Sequence, residues 1–259
     1  MIYSISKKKF INSALMKQRY VLTDTIRDIN NFGGKFFFDE TNTYYLAVAY
    51  GPSETITIFD CYSKQTLARA KENFTNAVGF CFICDYKDYN ENNIDENFGI
   101  TYHYKFKNDY SLNNAKDIKI KKIDSGSSFI LETYDEIYMS FLPKSHGARL
   151  ANFWNRYESN ISKGEHSIYI AYVDDTIVGH VLIDNYDNYN ACDITQITIE
   201  EKYQQKGYGK QLLNLVVCDI KKDGYGNIFY SSVDGDNIAS QKTAESVGFE
   251  KVACRIVIV

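Results

Sequence analysis

Residues 204–210, Gln-Gln-Lys-Gly-Tyr-Gly-Lys, constrain this chain more than any other stretch. They follow an alternating run, Asp193 to Ile199, which reads as a strand. They open a segment, Gly209 to Lys222, that puts Leu212, Leu213, Val216, Val217 and Ile220 on one side of a helix. The order is strand, glycine-bearing turn, helix N-terminus. The first turn of a helix has N–H groups with no intrahelical partner, and the macrodipole favours negative charge there. Gly207 and Gly209 lack a Cβ, so a ligand can approach the backbone closely. Lys206 and Lys210 add positive charge. The stretch suits a phosphate; a turn that merely joins strand to helix is the plainer alternative.

Size and charge narrow the classes. With 259 residues the chain can form two modest domains or one large one, and its 44% hydrophobic fraction allows a sizeable core. A net charge of −4 implies no general attraction to nucleic acid or to an anionic membrane. There is no run of about 18 apolar residues, so no transmembrane helix is expected. Residues Met1 to Lys7 lack a signal-peptide apolar core, and a cytoplasmic protein is expected. The cysteines Cys61, Cys81, Cys84, Cys192, Cys218 and Cys254 are scattered. Cys81 and Cys84 form one C-x-x-C within a strand-like run, where residues three apart face opposite sides. No second pair completes a zinc site, so buried reduced thiols and no metal are expected.

No internal repeat or low-complexity linker is visible. Polar segments at Tyr86 to Asn97 and Asn108 to Asp117 read as loops, and the second is the best boundary, giving domains 1–115 and 116–259. In the first, Asn12 to Asn30 and Ser63 to Asn73 read as helices. Lys35 to Phe38, Tyr44 to Ala49, Thr55 to Asp60, Ala77 to Cys84 and Gly99 to Phe106 read as strands. In the second, strands are expected at Asp117 to Ile123, at Ser167 to Val173 and Thr176 to Ile183 (a hairpin around Asp174-Asp175), at Asp193 to Ile199, at Asn227 to Val233 and at Phe249 to Val259. Helices are expected at Ser125 to Met139, Gly147 to Ser159, Gly209 to Lys222, and from a cap at Asp236-Asn237 to Gly248. The fold class is α/β (α+β): a mixed central sheet flanked by helices, preceded by a smaller α/β domain.

Four ordered elements carry a resemblance: Ile197-x-Ile199, Gln204-x-x-Gly207-x-Gly209, Asn237-Ile238-Ala239-Ser240 and Gly248-Phe249. Together they resemble the GNAT family of acyl-CoA-dependent N-acyltransferases, over roughly Asp117 to Val259. The layout also looks like GNAT proteins that carry an additional N-terminal α/β domain. The resemblance implies acetyl-CoA as acyl donor and a small-molecule amine as acceptor, with no metal. The charge balance leaves no nucleic-acid or membrane partner expected; roofing the acceptor pocket or forming a homodimer surface are roles open to the N-terminal half.

The same resemblance implies the residue roles. The backbone of Gln205, Lys206, Gly207, Tyr208, Gly209 and Lys210 would hold the pyrophosphate, with Gln204 and Lys206 shaping the turn. The main chain of Ile197, Thr198 and Ile199 would run beside the pantetheine arm, and one of its N–H groups could meet the oxyanion. Asn237 and Ser240 would lie at the pantetheine, though Asn237 is equally an ordinary helix cap. Asp193 stands where some members keep a carboxylate base. Alternation would put it on the face of Thr195, Ile197 and Ile199 unless a bulge shifts the register; a solvated strand-end Asp is the other reading. Where many members carry a Tyr that protonates the leaving thiolate, this chain has Ala244, and Tyr203, Tyr208 and Tyr230 are possible substitutes. The Ala motivates an alternative from another class, an acyl-CoA-binding sensor or scaffold that does not catalyse. His180, beside Gly179, reads as a core histidine or an acceptor-cleft residue. Asp184, Asp187 and Asp193 bias the acceptor region towards a cationic amine.

Overall fold

The structure is a computed structural model. It describes the strands within residues 2–5, 35–39, 43–50, 55–61 and 77–86, residues 72 and 75, and, continuously, residues 99–110, 117–123, 160–186 and 190–258. The helices expected at Asn12–Asn30, Ser125–Met139 and Gly147–Ser159 lie outside these residues, as does Ser63–Asn73 apart from Glu72.

The chain forms two compact units. The first comprises Met1–Lys105, Ser231–Ile238 and Lys251–Val259; the second comprises Phe106–Tyr230 and Ala239–Glu250. In the first unit lie β1 (Ile2–Ile5), β2 (Lys35–Asp39), β3 (Thr43–Tyr50), β4 (Thr55–Cys61), β5 (Ala77–Asp85), β6 (Gly99–Phe106) and the last strand, β12 (Phe249–Ile258). β1 carries no alternation signal strong enough to have been expected. The order is β1-β2-β3-β4-β5-β12-β6, so the end of the chain returns to lie between two strands formed early. β12 pairs antiparallel with β5, from Ala253 opposite Asp85 to Ile258 opposite Phe80.

The second unit holds β7 (Lys119–Ile123), β8 (His166–Val173), β9 (Thr176–Tyr186), β10 (Ala191–Ile199) and, up to Tyr230, the first half of β11 (Asn227–Asp234), adjacent in sequence order. Its helices are α1 (Tyr208–Lys222) and α2 (Ile238–Ser246). β7 to β10 pair antiparallel, and β10 pairs parallel with β11. The first unit repeats this scheme: β1 to β4 pair antiparallel, and β4 pairs parallel with β5. A repeat of architecture is present without a visible repeat of sequence.

Local chemistry explains the elements that position the site. Asp174 and Asp175 have φ of 47° and 61°, the left-handed pair that a two-residue hairpin turn demands, and they join β8 to β9. α1 buries Leu212, Leu213, Val216, Val217 and Ile220 to 3% exposure or less, against a sheet face carrying Ile183, Ile194, Ile197 and Ile199. Each such side chain contributes about 1.5–3 kcal/mol when fully buried. α2 stops at Gly248, φ 93°, whose N–H donates to the Glu245 carbonyl. Tyr110 packs against the bare Cα of Gly248, and its hydroxyl donates to the Ser246 carbonyl at 3.0 Å.

Gly179 faces Ile199 across the β9–β10 pair. A Cβ there would collide with the Thr198 carbonyl oxygen and come within 2.8 Å of Ile199 Cδ1. Gly179→Ala is therefore expected to cost about 1–3 kcal/mol by overpacking, read as a lower urea midpoint at unchanged slope.

Candidate functional site

The site is built around a pairing that stops. β10 and β11 are in parallel register only from Ala191–Asn227 to Ile194–Tyr230. β10 continues to Ile199 while still paired with β9 on its other side. From Thr195 onward the β10–β11 ladder is not continued. Residues 195–199 are half-buried, and a strand that outruns its partner is where a ligand's amides can pair. In the first unit, the equivalent pair stays closed: β4 pairs with β5 from Ile56 through its last residue, Cys61.

The open edge leads into the glycine turn. A 3-10 turn at Glu201–Tyr203 is followed by Gln204, whose side-chain amide donates to the Ile199 carbonyl at 2.9 Å and folds the turn back on the strand. Gln205 and Gly207 take positive φ, 60° and 80°, and Gly207 is the N-cap of α1. The first intrahelical bond runs from Gln211 N–H to the Gly207 carbonyl, so the N–H groups of Tyr208, Gly209 and Lys210 precede it. No side chain caps this end, and no acidic residue lies in its first turn. A Cβ on Gly207 would meet nothing within 4 Å, so the space over the turn is open. Gly209 lies 3.8 Å from Ile199 and from Thr243 of α2, measured from its would-be Cβ. The ammonium groups of Lys202 and Lys206 lie 5.1 and 5.3 Å from the Tyr203 ring centroid. Lys210 is exposed. Tyr203 as a platform for two lysines was not anticipated; only its place between them hints at it.

The other expected residues fall as follows. Asn237 is exposed at the start of α2, and its N–H donates to the Asp234 carbonyl. Ser240, one turn on, hydrogen-bonds the Tyr230 side chain, and burial pushes the Tyr230 hydroxyl up to about 12 against that bond. Tyr230 is thus distinguished from Tyr203 and Tyr208: it is 4% exposed, held by Ser240, and sits in the last row before β10 and β11 part. Ala244 is fully buried. Cys192 is buried, and burial first, then the charge of Asp193, raises its thiol well above the usual range, which opposes a nucleophilic thiolate.

Asp193 is fully buried. The register shifts between Ile194 and Gln196, so Thr195 bulges, its hydroxyl donating to the Leu182 carbonyl at 3.3 Å. Simple alternation is thereby overturned. Asp193 shares its face with Gln196 and Thr198, opposite Asp184, Leu182 and His180, while Ile194, Ile197 and Ile199 face α1. Across from Asp193 stands Asp184, 4% exposed, and across from Asp184 stands His166, whose Nδ1 lies 2.5 Å from Asp184 Oδ1. Asp184 was expected only as part of an acidic loop region. A concavity lined by Lys122, Asn190, Asp223 and Tyr225 lies at the far end of β10 from the glycine turn and has no part in this arrangement. Among the described residues, no group of three or more His, Cys, Asp and Glu could hold a metal ion, and no helix is long and apolar enough to cross a membrane.

His180 is 2% exposed, and burial lowers its imidazole to about 3. The unfolded chain, with an ordinary value near 6.5, binds more protons between these limits, so stability falls as pH drops below about 6.5 towards 3. The slope reaches about 1.4 kcal/mol per pH unit per proton. Denaturant titrations at pH 7, 6, 5 and 4 are expected to show a shallower acid decline in His180→Gln than in the wild type.

Comparison with known proteins places this geometry. Residues 130–249 match the model of the acetyltransferase (GNAT) family. No curated protein matches the chain. Among solved structures, it is similar to a tandem GNAT protein from the clavulanic acid biosynthesis pathway (7% identity, TM-score 0.61, 100% of this chain and 98% of that one). It is similar also to a GCN5-related N-acetyltransferase from Sphaerobacter thermophilus (11%, 0.60, 99% and 94%). A third likeness is to a GNAT-family acetyltransferase from Colwellia psychrerythraea (13%, 0.57, 99% and 98%). At such identities the structural likeness speaks for the fold alone, and the likeness in sequence to the acetyltransferase (GNAT) family rests on residues 130–249.

Proposed function

We propose that this domain transfers an acetyl group from acetyl-CoA to a primary amine of a small molecule, by direct attack within a ternary complex. The observation that carries the reading is that the β10–β11 ladder ends at Ile194 and Tyr230 while β10 continues to Ile199, from which residues 200–207 turn into a helix N-terminus with no acidic residue in its first turn. The edge from Thr195 to Ile199 takes the pantetheine arm as a pseudo-strand. The amides of Tyr208, Gly209 and Lys210 take the pyrophosphate, with Lys206 and Lys210 nearby in charge. Asn237 and Ser240 stand at the start of α2 for the rest of the arm. We propose the cytoplasm as the compartment, since the reaction needs a supply of acetyl-CoA.

The chemistry follows from the balance of atoms. The acceptor arrives as an ammonium and gives one proton to Asp193, directly or through water. The amine lone pair forms the C–N bond, an N–H of the β10 edge meets the oxyanion, the C–S bond breaks with its electron pair on sulfur, and the second proton of the attacking nitrogen passes, directly or through water, to the departed thiolate, leaving a neutral amide and the coenzyme A thiol. Thiols are acidic enough, near 8.5, for coenzyme A to leave as thiolate. This accommodates Ala244 in place of a phenol. No cysteine intermediate enters, because Cys192 keeps its proton.

A second reading, an acyl-CoA-binding sensor that does not catalyse, is favoured by the one observation that Ala244 is buried and offers no proton.

Calorimetry and a turnover panel separate the readings. Acetyl-CoA is expected to bind with one site per chain, because β4 and β5 stay paired to the end of β4 and leave no second open edge. Two sites would refute that count, and no heat would refute the donor assignment. Free-thiol release is expected with at least one of spermidine, kanamycin, free amino acids or a peptide N-terminus. Tight binding with no turnover for any of them supports the sensor. Asp193→Asn is expected to lower kcat by about 10²–10⁴-fold while leaving acetyl-CoA affinity intact. Gly207→Val, strained at φ 80° and filling the open space over the turn, is expected to weaken acetyl-CoA binding by about tenfold or more and to cost about 1–2 kcal/mol of stability.

A further inference from the structure

We infer, resting on the reading of the β10 edge as the seat of the pantetheine arm, that Tyr230 is the floor of the acyl pocket and holds the donor to acetyl, shutting out butyryl and longer chains. An arm paired along that edge lies in line with β11, so its far end meets β11 where the ladder resumes. That place is the row of Ile194 and Tyr230. Lengths agree with this. Thr195–Ile199 offers about 17 Å of edge, five residues at about 3.3 Å each. Gly209, in the first turn of α1, lies 3.8 Å from Ile199, measured from its would-be Cβ, so a diphosphate on that turn starts at the outer end of the edge. About thirteen bonds separate the nearer phosphorus of coenzyme A from its sulfur, which at the ~1.2 Å per bond of an extended chain is about 16 Å. The sulfur therefore arrives at the fork, and the acyl group is the part that reaches the Tyr230 row.

Tyr230 is placed and held to close that end. Tyr230, Ser240 and Phe249 all belong to the second unit. Tyr230 is in register with Ile194, so both side chains point to one face, the face of α1. Its hydroxyl meets Ser240 of α2, and α2 lies beside α1 on that face, where Thr243 is 3.8 Å from the would-be Cβ of Gly209. Tyr230 is 4% exposed, and Ile194 and Ala244 are fully buried. Three contacts fix the ring: the ladder to β10, the hydrogen bond with Ser240, and the Phe249 ring at 5.8 Å, tilted by 55°. A ring locked on three sides swings aside for a longer chain only at a cost in packing. Asp193 pairs with Phe229, one residue earlier, and so points to the other face. Base and floor thus flank the fork from opposite sides, and the approach of the amine stays clear.

A rigid wall selects by size. One methylene more or less in an apolar pocket changes kcat/KM by about 10–200-fold. Butyryl exceeds acetyl by two methylenes, and propionyl, with one, stands between them. A phenylalanine at position 230 would fill the same space. The hydroxyl adds the bond to Ser240 that keeps the ring from turning. Burial pushes that hydroxyl up to about 12 against the Ser240 bond, which suits a group that stays in place over one that gives up its proton. Truncation to alanine would leave more room than the two methylenes of butyryl require.

The test uses the full chain with acetyl-, propionyl-, butyryl- and hexanoyl-CoA. Affinity is read by calorimetry without acceptor, and kcat/KM with the amine turned over fastest in the panel above. The wild type is expected to favour acetyl-CoA over butyryl-CoA by about tenfold or more, with propionyl-CoA between. Tyr230→Ala is expected to shrink that ratio by about tenfold or more, chiefly by gaining butyryl-CoA, and Tyr230→Phe to keep the wild-type ratio. Tyr230→Leu, which removes less packing, takes the place of Tyr230→Ala if the latter fails to fold, and the wild-type series needs no variant. Binding without turnover still yields the ratio through affinity. A wild type that accepts butyryl- or hexanoyl-CoA as well as acetyl-CoA overturns the floor and leaves the donor reading standing. A folded Tyr230→Ala or Tyr230→Leu that binds acetyl-CoA and keeps the wild-type ratio does the same. If no acyl-CoA gives heat, the donor reading falls and the floor with it.

Discussion

Backbone hydrogen bonding has to be satisfied somewhere, and in this chain the requirement lapses at one place that matters. After Ile194 and Tyr230 the parallel ladder between β10 and β11 ends, although β10 runs on for five residues. Everything around that lapse keeps the open edge from collapsing. β9 holds β10 from the other side, Gly179 lets the two backbones close in at Ile199, and α1 clamps the isoleucines of the opposite face. Gln204 then ties the departing chain to the strand's last carbonyl. An unsatisfied edge is ordinarily a liability in a sheet. Here it is short, leads into a turn, and is the feature on which the proposed recognition of acetyl-CoA rests.

Much of this was readable in residues. The spacing of Leu212, Leu213, Val216, Val217 and Ile220 announces α1, and those side chains are the ones buried. Asp174-Asp175 announces the β8–β9 turn and takes the left-handed angles it needs. Gly207 and Gly248 mark a helix start and a helix stop, each with positive φ. These are local signals, set by interactions within a few residues, and local sequence records them directly.

What escaped was relational. The bulge at Thr195 belongs to the pairing of two strands, so strict alternation along β10 misassigned the face of Asp193. The row of His166, Asp184 and Asp193 exists only once three registers are fixed at the same time, and Asp184 alone looks like one more acid near a loop. The hold of Ser240 on Tyr230 joins a helix to a strand ten residues earlier. The repeated pairing scheme of the two units leaves no trace in residue identities because strand order is set by which faces need covering, and many sequences satisfy it.

The return of β12 to a place between β5 and β6 has a consequence for biogenesis. The unit synthesised first is the one finished last. While the ribosome is still making residues 106 to 248, β5 stands as an open edge waiting for Ala253 to Ile258. A nascent chain in that interval needs shielding from its neighbours. Shortening the chain at its carboxyl end would then injure the amino-terminal unit, more than a hundred and fifty residues away along the polypeptide from the cut.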